Sequence, residues 1–115
     1  MLLDSDDARV HHMLDAAHEA VRYCSAKTQG DLEGDRPLQC LLIRSLEVIG
    51  EAASRTSQTF REKHPDLPLR RMIGIRNRLI HAYFDIDIDI VWQTVTEELP
   101  GLIAQLQAIV AEQEA

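Results

Sequence analysis

Arg76 stands in an apolar stripe where packing alone would want a leucine. At about 100° per residue, Leu69, Met72, Ile73, Ile75, Leu79 and Ile80 share one broad helix face, and Arg76 falls near its centre. An unpaired buried guanidinium is costly. Arg76 must therefore meet a carboxylate, for which Glu47 and Glu51 are candidates, or line a cleft. His81 follows on the same ridge as Asn77, about 140° round a regular helix from Arg76. Tyr83 returns almost to Arg76's line. Groups about 140° apart do not readily touch one substrate from one continuous helix. Either the helix ends near His81 and redirects it, or a two-fold dimer brings two arginines and two histidines into one cleft. A third reading makes His81 an imidazole that caps the helix C-terminus.

Arginine and histidine together suit one chemistry. A neutral imidazole can take the proton from an RNA 2′-hydroxyl, and an imidazolium can protonate the departing 5′-oxygen. A guanidinium can stabilise the charge that builds on the phosphoryl oxygens. No metal or cofactor is required, and DNA lacks the nucleophile. The alternative is a non-catalytic helical dimer that binds a nucleotide with the same arginines.

The elements that must hold these groups are helices. Val10, Leu14, Ala17, Val21, Cys24 and Thr28 step by three and four, which predicts a helix from near Asp6 to near Thr28, with Ser5, Asp6 and Asp7 at its start. Residues Gly30 to Asp35 read as a loop. A second long helix opens at Arg36-Pro37 and carries Leu38, Leu41, Leu42, Ser45, Leu46, Ile49, Ala52 and Ala53. Gly50 and the two alanines would let a neighbouring helix approach closely, while Arg44, Glu47, Glu51 and Arg55 form a charge ladder along one side. A short turn near Phe60 ends at His64-Pro65. Pro68 starts the helix of Arg76, which should run at least to His81, with Asp66 near its cap.

Asp85, Asp87 and Asp89 alternate with isoleucines like a strand. A lone strand in a helical chain would have no partner for its backbone groups. An aspartate N-cap opening a helix from Ile88 to about Leu99 explains the pattern better, with Ile88, Val91, Trp92, Val95 and Leu99 on its stripe. Pro100-Gly101 should break or kink the chain before a last helix with Leu102, Leu106, Ile109 and Val110. The expected architecture is all-α: one domain over residues 1–115, an antiparallel bundle of four to five helices.

Composition agrees. A chain of 115 residues suits one core, and with aromatics at 4 % that core must be aliphatic. No stretch approaches the roughly 18 apolar residues of a bilayer span, and the N-terminus lacks a signal-peptide pattern, so a cytoplasmic location is expected. Cys24 and Cys40 have no CxxC spacing and read as two buried, reduced thiols. The net charge is −7, which as a whole should repel nucleic acid. Residues 70–83, however, hold Arg70, Arg71, Arg76 and Arg78 with no acid, leaving 8 bases against 19 acids elsewhere. Such a basic face on an acidic body attracts phosphate, unless it is merely a solvated helix face.

Three other readings fail or weaken. A calcium loop at the aspartates would need glycine at Ile90 and glutamate at Thr96. A nucleotidyltransferase would need a Gly-Ser segment before them. His11, Asp15 and His18 share a ridge that could bind a metal, but a polar helix face is the simpler account.

Three segments together carry a family resemblance: EVIGEAA (Glu47 to Ala53), PDLPLRRMIGIRNRLIHAYFDIDIDIVW (Pro65 to Trp92) and LPGL (Leu99 to Leu102). They closely resemble the HepT-like branch of the HEPN superfamily, over most of the chain. The core of the likeness is an Arg-x4-His-x-Tyr pattern, here Arg76, His81 and Tyr83. The resemblance implies an all-helical, two-fold homodimer. It implies a metal-independent endo- or exoribonuclease that acts as the toxin of a type VII toxin–antitoxin pair. Arg76 and His81 would be the catalytic pair, supported by Asn77 and Arg78. It also implies a partner, a minimal nucleotidyltransferase antitoxin of the MntA type, which would add AMP to Tyr83. A bulky anionic adduct on Arg76's line would fill the cleft and pair with the arginines meant for RNA phosphate.

Overall fold

The computed structural model describes residues 4–80 and 85–114, and these are helical almost throughout, with no strand among them. The elements are α1 (Asp4–Cys24), α2 (Gln29–Glu33), α3 (Arg36–Ser54), α4 (Gln58–Lys63), α5 (Leu69–Ile80), α6 (Ile88–Gln93), a π-helical turn (Thr94–Glu98) and α7 (Leu99–Glu114). α3 is the central strut: it packs against α1 on one side and α5 on the other, and α7 closes over α1. The core is aliphatic as composition requires, built on Val10 and Met13 of α1, Leu42, Leu46 and Ile49 of α3, Met72 of α5, and Leu99, Leu102 and Leu106 at the start of α7. Phe60 of α4 is its one fully buried aromatic among the described residues. No described helix is long and apolar enough to cross a membrane.

Local chemistry explains the helix starts. Asp35 accepts a hydrogen bond from the Leu38 N–H, with Pro37 in the first turn of α3. Ser57 caps α4 through the Phe60 N–H. Buried Asp6 accepts from both the backbone N–H (2.8 Å) and the hydroxyl (2.6 Å) of Ser57, so it ties α1 to the start of α4 rather than capping its own helix. Asp87 caps α6 by accepting from the Ile90 N–H at 3.1 Å, so the alternating aspartates are a helix start and not a strand.

Five expectations need correction. α1 ends at Cys24 rather than near Thr28, because Ala26 turns into the left-handed region at φ 62°. Thr28 then becomes the N-cap of α2, in a reciprocal capping box with Asp31, so the presumed loop is partly helix. The buried line of α1 is Val10, Met13, Ala17, Ala20 and Cys24, while Leu14 and Val21 are only half-buried. Pro100-Gly101 does not break the chain: Pro100 sits in the first turn of α7, directly after the π turn. The wider turn loosens the usual backbone pattern where proline's missing N–H and its ring would otherwise disrupt it.

The fifth correction is Cys40, which is exposed; only Cys24 is buried, and both are free. Cys40 lies on the solvent side of α3. Burial pushes the Cys24 thiol above its ordinary pKa. Trp92 is half-buried against the core, next to buried Val91 and Val95.

Candidate phosphate-binding cleft

The site begins with a missing side chain. A Cβ on Gly50 of α3 would lie 2.2 Å from the Arg76 Cβ and 2.8 Å from its Cγ. Only glycine lets α3 and α5 come this close, and the approach fixes where the Arg76 side chain leaves its helix. The buried line of α5 is Leu69, Met72, Ile75 and Leu79, with Ile73, Arg76 and Ile80 half-buried beside it. Arg76 is therefore at the border of the apolar face, not at its centre. The helix is rotated so that its arginine reaches a cleft while its stem packs on Gly50.

The guanidinium of Arg76 is held at two points. Its Nη2 donates to Glu51 Oε2 at 2.9 Å, and its Nη1 donates to Asn77 Oδ1 at 3.0 Å. The carboxylate expected to meet Arg76 is thus Glu51. Glu51 also accepts from Arg55 Nε at 2.6 Å. That Arg55 hydrogen bond, followed by the charges of Arg55, Arg76 and Arg9, holds the Glu51 carboxyl below the usual range, so it stays ionised and keeps its grip on Arg76. The side chain of Arg76 remains 28 % exposed, open to a ligand.

Around Arg76 lies an open cleft of about 260 Å³, lined by Arg9 and His12 of α1, Arg44, Glu47, Val48, Glu51 and Ala52 of α3, and Ile80 of α5. The charge ladder on α3 is therefore the wall of this cleft: Arg44, Glu47 and Glu51 face it, and Arg55 braces Glu51 from behind. Arg9 and His12 carried no functional weight in the sequence. Their signal is that they are ridge neighbours, three apart on α1. Nothing local says which ridge of α3 they face.

The other arginines of the basic stretch do not form one face. Arg71 makes a two-pronged pair with Glu98 at 2.8 and 3.0 Å, and Arg78 pairs with Asp87 at 3.2 Å. Arg70 lies by a separate hollow with Arg61 and His64. Helical spacing sends these side chains in different directions, and carboxylates from later elements neutralise two of them. Arg78 thus braces the start of α6 and does not line the cleft, whereas Asn77 touches Arg76 directly. His81 and Tyr83 lie outside the described residues. His11 bonds through its ring nitrogen to the Asp7 carbonyl at 2.9 Å, a local helix contact.

Comparison with known proteins identifies a family. The family profile for ribonuclease HepT-like proteins matches residues 13–109. A protein of Thermococcus cleftensis, named as a candidate ribonuclease HepT, is 40 % identical over 75 residues, covering 65 % of this chain and 68 % of its own. A protein of Methanocaldococcus jannaschii, named as a candidate RNase, is 31 % identical over 102 residues, covering 89 % of this chain and 94 % of its own. Another so named, from Caldanaerobacter subterraneus subsp. tengcongensis, is 33 % identical over 104 residues, covering 90 % and 93 %. No solved structure gives a significant match. The profile runs from the middle of α1 almost to the end of α7 and so takes in all but the first wall residues of the cleft: the chain belongs to the ribonuclease HepT-like family.

Proposed function

We propose that this chain is a metal-independent ribonuclease, the toxin of a type VII toxin–antitoxin pair, with Arg76 and His81 as its catalytic pair. The observation that carries the reading is Arg76 itself: a guanidinium held by Glu51 and Asn77 at a glycine contact, yet open to a cleft. Family membership and the RNase names of the relatives support it. In this mechanism an imidazole of His81 takes the proton from a 2′-hydroxyl, and that oxygen bonds to the adjacent phosphorus. The P–O5′ bond breaks, an imidazolium gives the departing 5′-oxygen a proton, and a 2′,3′-cyclic phosphate is left. Arg76 stabilises the charge on the phosphoryl oxygens during the step. Asn77 restrains the guanidinium from the same helix, and Arg78 supports the fold of the site through Asp87.

A two-fold homodimer would unite Arg76 with His81, since the two diverge on a regular helix. The reading extends to control: a minimal nucleotidyltransferase of the MntA type transfers AMP from ATP to the Tyr83 hydroxyl, which loses its proton as pyrophosphate departs, and the adduct's phosphate competes with RNA for the cleft arginines. The experiment is expression of the chain with and without a minimal nucleotidyltransferase of the MntA type. Alone, the chain is expected to arrest growth, and Arg76→Ala or His81→Ala to abolish the arrest. Together, the chain should gain one AMP in intact mass, and Tyr83→Phe should not. Arrest by folded Arg76→Ala protein would remove the catalytic reading, and an adduct that survives Tyr83→Phe would remove the modification.

A further inference from the structure

We propose that Arg9 and Arg44, with His12 in the same cleft, form a second phosphate-binding subsite beside Arg76, which takes the neighbouring backbone phosphate of a single-stranded RNA. The choice of RNA as ligand rests on the ribonuclease reading; the anion site itself rests on the cleft. Arg9, His12 and Arg44 line the same cleft as Arg76, from two different helices. Arg9 is half-buried, and its Nε is buried without a hydrogen-bond partner among the described residues. The Arg9 side chain makes no hydrogen bond or ion pair among the described residues, so its guanidinium is uncommitted where the residue lines the cleft, and an anion there would pair with it. Arg44 likewise makes no ion pair among the described residues.

The nearby carboxylates do not cancel this pair. Glu51 is committed by hydrogen bonds to Arg55 and Arg76, and Arg9 feels its charge without bonding to it. Within the cleft itself, Glu47 is the one lining carboxylate left against two arginines among the described residues. The cleft continues past His12, Arg44 and Val48 into a second hollow, and there Asp15 and Glu19 line the wall. Those acids end the basic track. The site therefore suits one phosphate beyond the one at Arg76, not a long nucleic-acid path.

The test is fluorescence anisotropy with a labelled ten-nucleotide uridine RNA carrying 2′-O-methyl groups, which attack by the 2′-oxygen cannot cleave. Arg9→Gln and Arg44→Gln should each weaken binding about tenfold. Each should also lower the magnitude of the salt slope by about 0.7, the value for one phosphate contact on a single strand. Arg70→Gln, outside the cleft, should change neither. Circular dichroism melts report folding, and exposed Arg44 carries the test if Arg9→Gln unfolds the chain. Wild-type affinity and slope in Arg44→Gln would overturn the subsite, as would no binding by the wild type, or equal losses in all three variants. If the wild type cleaves ordinary RNA while the variants bind normally, only the subsite fails. If binding depends on Arg9 and Arg44 but ordinary RNA stays intact, only the ribonuclease reading fails.

Discussion

Arg76 and Glu51 hold each other in a state that pH can test. Pairing depresses the Glu51 pKa, first through the Arg55 hydrogen bond and then through the charges of Arg55, Arg76 and Arg9. A depressed carboxylate stabilises the fold in full above its ordinary value of about 4.3, and loses that contribution as pH falls through the lower folded value. Glu51→Gln should therefore melt below the wild type at neutral pH, and the gap should shrink as pH drops below about 4. Melting curves of both proteins from pH 7 to 3 check it; a gap of constant size would mean the loss comes from packing and not from charge. Arg76 was legible as an anomaly because apolar periodicity leaves no reason for a guanidinium there. Its partner could be narrowed only to Glu47 or Glu51, since the choice depends on how far α5 is rotated against α3.

At the scale of elements, the contact of α3 with α5 positions the site. Gly50→Ala would place a Cβ 2.2 Å from the Arg76 Cβ and 3.0 Å from the Met72 carbonyl oxygen, and backbone cannot swing away as a side chain can. The helices must separate, at about 1–3 kcal/mol of stability. Urea denaturation should show that loss, together with a fall in RNA cleavage from a displaced Arg76; an equally stable variant with full cleavage would show that the close approach is dispensable. Most elements were readable from apolar spacing, prolines and capping aspartates. The misses have physical causes. α2 depends on one capping box at Thr28 and Asp31, and α1 stops at an alanine with φ 62°, which nothing in its own type demands. Pro100 reads as a break or kink because the π turn before it has no local signature. Arg9 and His12 have no signal of their own in the sequence, because their neighbours come from α3 and α5, far away along the chain.

The whole molecule poses the question of the second subunit. Arg76 projects from the border of α5 into a cleft, and on a continuous helix His81 would point elsewhere. If each active site takes its arginine from one chain and its histidine from the other, co-expressed Arg76→Ala and His81→Ala chains should recover cleavage that neither shows alone. No recovery from a verified mixed dimer would place both groups on one chain. The net charge of −7 fits a protein that meets RNA at one small cleft rather than over its surface, since three of the ten arginines line that cleft and others are spent on ion pairs.

The most direct measurement is cleavage of a labelled single-stranded RNA by the purified, AMP-free chain in EDTA, beside the same oligonucleotide made with 2′-deoxy sugars. The account predicts cleavage of the RNA to 2′,3′-cyclic phosphate ends, an intact deoxy strand, and a rate lower by about a hundredfold or more in Arg76→Ala. Intact RNA with the folded wild-type chain, or an unchanged rate in Arg76→Ala, would contradict it.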